Sequence, residues 1–143
     1  MPITRPLLAG LVALAATAAL ADATPVGTWK NVSDKTGKPE ALIQIWDEGG
    51  VLHGKLVKLF DSKDTLCTKC KGDKKNKPLI GLEIIWGVKQ DGDEWNGGKI
   101  LDPDNGDIYS VKMETADGGQ KLKVRGFMGF SLLGRTQTWL REQ

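Results

Sequence analysis

Residues 107–127 read DIYSVKMETADGGQKLKVRGF, and this stretch shows the pattern that recurs along most of the chain. Within it, KLKVR at residues 121–125 alternates two apolar side chains with three charged ones. Successive side chains of a strand point to opposite faces, so this alternation predicts a half-buried strand. The pair Gly118-Gly119 supplies the positive φ angles that a tight hairpin turn needs. The stretch therefore predicts two antiparallel strands joined by a turn.

Short β-like segments separated by turn residues recur from residue 26 onward. Asp91-Gly92 and Asn105-Gly106 are turn pairs comparable to Gly118-Gly119. No window of helical length carries an apolar stripe with a 3.6-residue period. The predicted strands are 26–32, 41–46, 51–60, 82–89, 94–101, 107–115, 120–127 and 135–141.

Eight antiparallel strands with tight turns predict an all-β fold, a small up-and-down barrel, because closure removes exposed strand edges. A two-sheet sandwich is the alternative. Glycines inside the strands favour the barrel, since sharply coiled strands need bulges and bends; these are Gly54, Gly87, Gly97 and Gly98. The first and last strands of such a barrel are neighbours, so we expect 26–32 to pair with 135–141.

The composition excludes several classes of protein. The 143 residues include 18 Gly and 6 Pro, too many turn formers for a helical bundle. A hydrophobic fraction of 40% with 27% charged residues lies outside the disordered class. Basic and acidic residues interleave to a net charge of +2, which is not the pattern of a nucleic-acid-binding surface. Residues 24–143 are expected to form one domain.

The first 23 residues, MPITRPLLAGLVALAATAALADA, have the pattern of a secretory signal peptide. Arg5 precedes an apolar run at residues 7–20, and small residues follow it. Cleavage after Ala21 or after Ala23 satisfies the small-residue rule, and we favour Ala23. A membrane anchor is the alternative, yet 14 apolar residues fall short of the ~20 that span a bilayer. The sequence predicts a periplasmic or secreted bacterial protein with no integral membrane segment after cleavage.

Cys67-Thr68-Lys69-Cys70 is the most specific local motif. A C-x-x-C pair can be a redox site, half of a zinc site or a local disulfide. Zinc needs four ligands, and His53 is the only other Cys or His in the chain. A thioredoxin-like site needs the motif at the start of a helix. In an exported protein a structural disulfide between Cys67 and Cys70 is the favoured interpretation, with redox and metal binding left open.

A lysine-rich segment, residues 61–78, surrounds this motif. Its lysines could attract anions or acidic lipid head groups, but such a run is more commonly a solvated loop, and interspersed aspartates dilute its field. Because Leu66 is the only large aliphatic residue between Asp61 and Lys77, we expect the segment to cover little core.

The remaining polar residues give no catalytic constellation. Residues 101–112 fail the calcium-loop pattern, since Leu101 and Lys112 would occupy its first and last positions. His53 is expected to be a surface or hydrogen-bonded residue, because no nucleophile motif accompanies it. No enzyme activity, cofactor or metal is predicted. The five tryptophans are interpreted first as core residues and second as the lining of a ligand cavity.

Two terminal motifs resemble the closure of lipocalins. Gly27-Thr28-Trp29 lies on the first predicted strand, and Trp139-Leu140-Arg141 lies on the last. In lipocalins a G-x-W tryptophan at the barrel base is covered by an arginine of the final strand. The resemblance implies that Arg141, or in second place Arg135, stacks on Trp29 as a cation–π pair.

The chain from residue 27 to residue 139 resembles the bacterial exported family DUF2147. The residues that carry this resemblance are Gly27-Thr28-Trp29, CTKCKGD at 67–73, KPLIGL at 77–82, GKILDP at 98–103, Gly106 with Tyr109, GFMGF at 126–130 and GRTQTW at 134–139. Leu101 departs from the pattern, which has an aromatic residue at that position. The resemblance implies a lipocalin-like barrel in the periplasm or outside the cell, and no established reaction.

The leading functional hypothesis is a carrier of a small apolar ligand. Its candidate pocket residues are on apolar strand faces: Ile43, Ile45, Ile84 and Trp86. The alternative is a structural or protein-interaction module whose barrel is filled by its own side chains. A thiol redox protein using Cys67 and Cys70 is a weaker alternative.

Overall fold

A computed structural model describes Gly10, residues 24–130 and residues 133–142. The predicted signal peptide and its cleavage positions, with the exception of Gly10, therefore lie outside the described residues. The strands are β1 Gly27–Val32, β2 Pro39–Glu48, β3 Val51–Leu59, β4 Glu83–Asp91, β5 Glu94–Asp102, β6 Asp107–Ala116, β7 Lys121–Phe127 and β8 Gly134–Arg141, with 3-10 turns at Gly72–Lys74 and Asp117–Gly119. All eight predicted strands are found, and their ends differ from prediction by at most two residues.

The strands form one closed antiparallel barrel in the order β1 to β8, so the predicted fold class is confirmed and the sandwich is excluded. β1 pairs with β8 through Trp29 opposite Arg141 and Asn31 opposite Trp139. Because the strands alternate in direction, their connections alternate between two ends. We call the end with the β1–β2, β3–β4, β5–β6 and β7–β8 connections the loop end, and the opposite end the base.

Side chains from every strand contribute to the buried core of the barrel. Trp29, Ile43, Ile45, Leu52, Ile85, Val88, Val111, Met113 and Leu122 are the largest of the fully buried strand residues. Trp29 and Trp139 belong to this core, and Trp95 lies at its margin. Burial of this apolar surface at about 25 cal/mol per Å² is the main stabilising contribution.

Gly98 allows β4 and β5 to approach closely. A Cβ atom at this position would overlap the Trp86 carbonyl oxygen and the Val88 side chain. Its pairing with Val111 follows a register shift that begins at Trp95. A bulge bends its strand and increases the local twist. The glycine at position 98 therefore lets the sheet curl tightly enough to close.

The base is closed by Trp29 and Arg141. The Trp29 ring is fully buried, and its Nε1 donates to the Pro25 carbonyl oxygen at 2.7 Å. The Arg141 guanidinium carbon lies 4.3 Å from the Trp29 ring centroid. Arg135, the second candidate from the sequence, instead forms an ion pair with Asp34 at 2.9 Å.

Arg141 also ties three backbone segments together. Its Nε donates to the Gly119 carbonyl oxygen at 2.6 Å. Its two terminal nitrogens donate to the Val26 and Thr24 carbonyl oxygens, each at 2.9 Å. The planar fork of donors makes this geometry possible, and an ammonium group cannot reproduce it. Arg141 thus joins the chain before β1, the β6–β7 turn and the end of β8.

Trp29 and Arg141 are expected to be coupled in their effect on stability. Trp29→Ala should lower the free energy of unfolding by about 3–5 kcal/mol, because it removes a large buried aromatic ring. Arg141→Ala should cost about 2–3 kcal/mol through the lost ring contact and charge-assisted hydrogen bonds. Arg141→Lys should recover less than half of that loss.

Urea unfolding of both single variants and the double variant measures the coupling in a double-mutant cycle. Arg135→Ala is the matched control, because Arg135 is exposed and should change stability by less than about 1 kcal/mol. Strictly additive losses for Trp29 and Arg141 would contradict the proposed stacking.

Candidate functional site

The long β3–β4 connection, residues 60–82, is a folded element at the loop end. Cys67 and Cys70 are joined by a disulfide with their Cα atoms 5.3 Å apart, as the favoured prediction states. Leu66 forms an isolated β-bridge with Pro78. Both cysteines are only 1% exposed, and Leu79 and Leu82 also join the core. The expectation that the lysine-rich segment covers little core is therefore wrong, because its disulfide is itself a buried apolar group.

The β5–β6 turn holds this connection in place. A Cβ atom at Gly106 would overlap the Lys69 carbonyl oxygen, and Gly106 has a φ angle of 78°. Lys71 Nζ lies 3.4 Å from Asp107 Oδ1. Burial, and next the nearby Asp102, raise the pKa of the Asp104 carboxyl, while Lys69 acts in the opposite direction. The overlap at Gly106 and the contact between Lys71 and Asp107 thus show that the turn packs directly against the connection.

A groove of about 310 Å³ lies between the connection and the start of β4. Two cations, Lys74 and Lys77, line it together with Pro78, Ile80, Gly81, Leu82 and Glu83. Lys74 Nζ donates to the Glu83 carbonyl oxygen at 3.1 Å and lies 5.0 Å from the Trp86 ring centroid. These contacts fix one ammonium group at the groove wall beside an apolar surface.

A polar and aromatic network adjoins the groove on the outer face of β2, β3 and β4. Glu83 Oε1 lies 2.5 Å from His53 Nδ1. His53 stacks on Trp46 with ring centroids 5.6 Å apart. Glu48 accepts a hydrogen bond from Trp46 Nε1 at 2.9 Å and lies 3.5 Å from His53 Nε2. Glu83 therefore has two contacts: its backbone carbonyl binds Lys74 in the groove, and its side-chain carboxylate binds His53.

The four predicted pocket residues divide between the buried core and the partly buried residues packed against it. Ile43, Ile45 and Ile84 are buried members of the packed core. Trp86 is partly buried and pairs in register with the exposed Lys99, so it lies on the outer face. The groove instead uses residues between Lys74 and Glu83. In the sequence the groove is indicated only by the composition of residues 74–83, KKNKPLIGLE, in which lysines adjoin apolar residues. This stretch forms a concave surface only when the connection is folded.

The groove brings two lysines together with apolar residues. Within the described ranges, no cluster of three or more Cys, His, Asp or Glu side chains is arranged to hold a metal ion. No helix in the same residues is long and apolar enough to cross a membrane. Two ammonium groups beside an apolar wall complement an anion that carries a hydrophobic part.

The docking of the connection depends on Gly106, and Gly106→Ala should loosen it. The substitution places a methyl group against the Lys69 carbonyl in addition to the cost of a positive φ angle. We expect a fall of about 2–4 kcal/mol in stability and faster tryptic cleavage within the connection. Thermal melts and limited trypsin digestion measure the two effects.

Gly37→Ala is the matched control, because Gly37 has a φ angle of 70° with nothing within 4 Å of an added Cβ atom. It should show the conformational cost alone, about 1 kcal/mol. Equal losses in the two variants would mean that the contact with Lys69 contributes nothing.

The fold has a solved counterpart. It is similar to the structure titled "Protein HP1028 from the human pathogen Helicobacter pylori belongs to the lipocalin family", with a TM-score of 0.74 and 17% sequence identity. The match covers 85% of this chain and 84% of that one. At this identity the likeness concerns the fold. No curated protein matches the chain in a sequence comparison.

The sequence profile of a bacterial family, described as "Uncharacterized protein conserved in bacteria (DUF2147)", matches residues 27–141. That range runs from the first residue of β1 to the last residue of β8. Because the match takes in the entire barrel, including its Trp29–Arg141 closure and its disulfide-bonded connection, this chain belongs to the DUF2147 family and has a lipocalin-like fold.

Proposed function

We propose that this protein is an exported, non-enzymatic binding protein that holds a small amphipathic anion in the groove between residues 74 and 83. The observation that carries the proposal is the groove itself, in which two lysines face an apolar wall of Pro78, Ile80 and Leu82. Its volume of about 310 Å³ is at the lower end of the range for small-molecule sites. The ligand class is a carboxylate or phosphate joined to a short hydrocarbon chain.

The groove is organised before any ligand arrives. Lys74 is held by the Glu83 carbonyl oxygen and by the Trp86 ring, so its ammonium group has a defined position. Glu83 is in turn held by His53. A site whose side chains are already ordered loses less conformational entropy on binding, and this supports affinity in a shallow groove. Lys77 supplies a second, exposed cation at the same groove.

A second candidate function places an apolar ligand inside the barrel, and the lipocalin-like fold favours it. Ile43, Ile45 and Ile84 would then line the site, as the sequence analysis proposes. These side chains pack against their neighbours in the core, so entry of a ligand requires the connection at residues 60–82 to move and the core to repack. The groove needs neither change and is the better-supported site.

The disulfide supports a structural role for the C-x-x-C motif. Cys67 and Cys70 are buried, and the motif lies between a β-bridge and a 3-10 turn. A reactive thiol needs exposure and a group that lowers its pKa. The disulfide and the bacterial family both fit export, since such bonds persist in oxidising compartments.

Export predicts a defined mature mass. The protein purified from the periplasm should begin at Thr24, after cleavage behind Ala23, and both cysteines should resist alkylation until a reductant is added. Intact-mass spectrometry with and without iodoacetamide measures both features. An uncleaved chain, or alkylation of both thiols without reductant, would contradict the export proposal and its disulfide.

Groove binding predicts that a short-chain probe, dansyl-labelled hexanoate, binds and that the matching uncharged alcohol binds less tightly. Lys74→Gln with Lys77→Gln should weaken binding of the carboxylate probe about tenfold, because two positive charges that attract the carboxylate are lost. Ile80→Ser should weaken both probes about fivefold through lost apolar contact. Fluorescence titration at low ionic strength gives the dissociation constants.

Two neighbouring residues outside the groove give matched controls. Lys75 is an exposed lysine next to Lys74, and Ile108 is an exposed isoleucine like Ile80. Lys75→Gln and Ile108→Ser should leave both dissociation constants unchanged. If the groove variants bind the probes as tightly as these controls do, the ligand site lies elsewhere, and the barrel interior becomes the next location to test.

A further inference from the structure

Exposed large hydrophobic residues are concentrated at one end of the barrel. Eight such residues are found in the part of the chain that the structure describes, and six of them lie at the loop end. These six are Leu66, Ile80, Ile108, Met128, Phe130 and Leu133. The two at the base, Val26 and Leu140, are the least exposed of the eight, at 39% and 37%. Exposed apolar surface gathered in this way marks an interaction site.

The β7–β8 connection forms the most exposed part of this surface. Phe130 is 78% exposed and Leu133 is 70% exposed, and the Leu133 amide donates to the Phe130 carbonyl oxygen at 2.9 Å. Met128, on the same connection, is 50% exposed. Ile108 lies at the adjacent start of β6, since β6 pairs with β7 up to Phe127. Met128, Phe130 and Leu133 are thus three strongly exposed apolar side chains of one short connection, and we call them the apolar tip.

The same end carries an excess of positive charge on its longest connection. Residues 60–82 contain six lysines and three aspartates. Lys69, Lys71, Lys75 and Lys77 are all exposed there. Two acidic groups at this end already face cations: Asp107 faces Lys71, and Asp34 faces Arg135. A flat, negatively charged partner that covered the loop end would therefore meet both these lysines and the exposed apolar side chains.

We propose that the loop end of the barrel docks on an anionic lipid bilayer, with Phe130, Leu133 and Met128 inserted among the acyl chains near the head groups. A fluid bilayer accepts exposed apolar side chains without a preformed pocket, whereas a protein partner needs a complementary surface. Each lysine at the same end of the barrel adds attraction to phosphate head groups, about fivefold in affinity. Two independent signals, apolar and electrostatic, are what reversible membrane attachment needs.

This surface is separate from the proposed ligand function, although Ile80 contributes to both. Binding to vesicles needs no occupant in the groove, so each proposal can fail without the other. If both hold, docking would bring the groove between residues 74 and 83 close to a source of amphipathic anions.

Flotation with unilamellar vesicles tests the proposal on the mature, disulfide-bonded protein. The wild type should float with vesicles of phosphatidylcholine mixed with phosphatidylglycerol, and at least about fivefold less with pure phosphatidylcholine. Phe130→Ser with Leu133→Ser should lower the partition coefficient for the mixed vesicles about tenfold or more. Lys71→Gln with Lys75→Gln should lower it about 25-fold and should reduce its salt dependence.

Matched controls come from the base and the barrel wall. Val26→Ser with Leu140→Ser removes two exposed apolar side chains, and Lys89→Gln with Lys123→Gln removes two exposed lysines, all far from the loop end. These variants should float like the wild type, and circular dichroism melts confirm that every variant is folded.

The proposal is overturned if the wild type does not float with the mixed vesicles at low ionic strength. It is equally overturned if the tip variant floats as well as the base variant. The alternative partner of the tip is a second copy of this chain, and sedimentation velocity without lipid tests it. This alternative holds if the wild type self-associates, if Phe130→Ser with Leu133→Ser abolishes the self-association, and if no vesicle binding is seen.

Discussion

Pairing between the first and last strands is the constraint on which this structure depends. A sheet of eight strands that stayed open would expose two edges to water and to other chains. Here the contact of β1 with β8 is short, three residue pairs, and it is reinforced at the base by the Arg141 guanidinium over the Trp29 ring. The arginine adds hydrogen bonds to Thr24, Val26 and Gly119, so one side chain closes the sheet and seals its end.

Because the base is closed in this way, the groove lies at the opposite end of the barrel. The base is occupied by the buried Trp29 indole and by the Arg141 guanidinium, which is hydrogen-bonded to three carbonyl oxygens, whereas the loop end carries the long connection from residue 60 to residue 82. That connection is ordered by a buried disulfide and by the close approach of Gly106 to Lys69. Because it is fixed at both points, it can present a groove with a defined lysine position, instead of a disordered basic segment.

The buried core occupies the inside of this barrel and is its main source of stability. Trp29, Ile43, Ile45 and Met113 are among its fully buried side chains. A protein of this size cannot give up much of that core and stay folded. The proposed binding on the outside of the barrel, at the groove and at the apolar tip, would leave this core intact.

Sequence by itself determined the fold class, the eight strands and the closure, because these depend on local alternation, on turn residues such as Asn105-Gly106 and on two terminal motifs. It also favoured the bond between Cys67 and Cys70, three residues apart. Tertiary structure alone decided that this disulfide is buried, that Ile43 and Ile45 are buried in the core, and that residues 74–83 form a groove. Those features depend on which side chains meet across the barrel and on how residues 60–82 fold back over one end, and neither is encoded in a local pattern. The position of His53 between Glu48 and Glu83 has the same origin, since three strands bring together residues up to 35 positions apart.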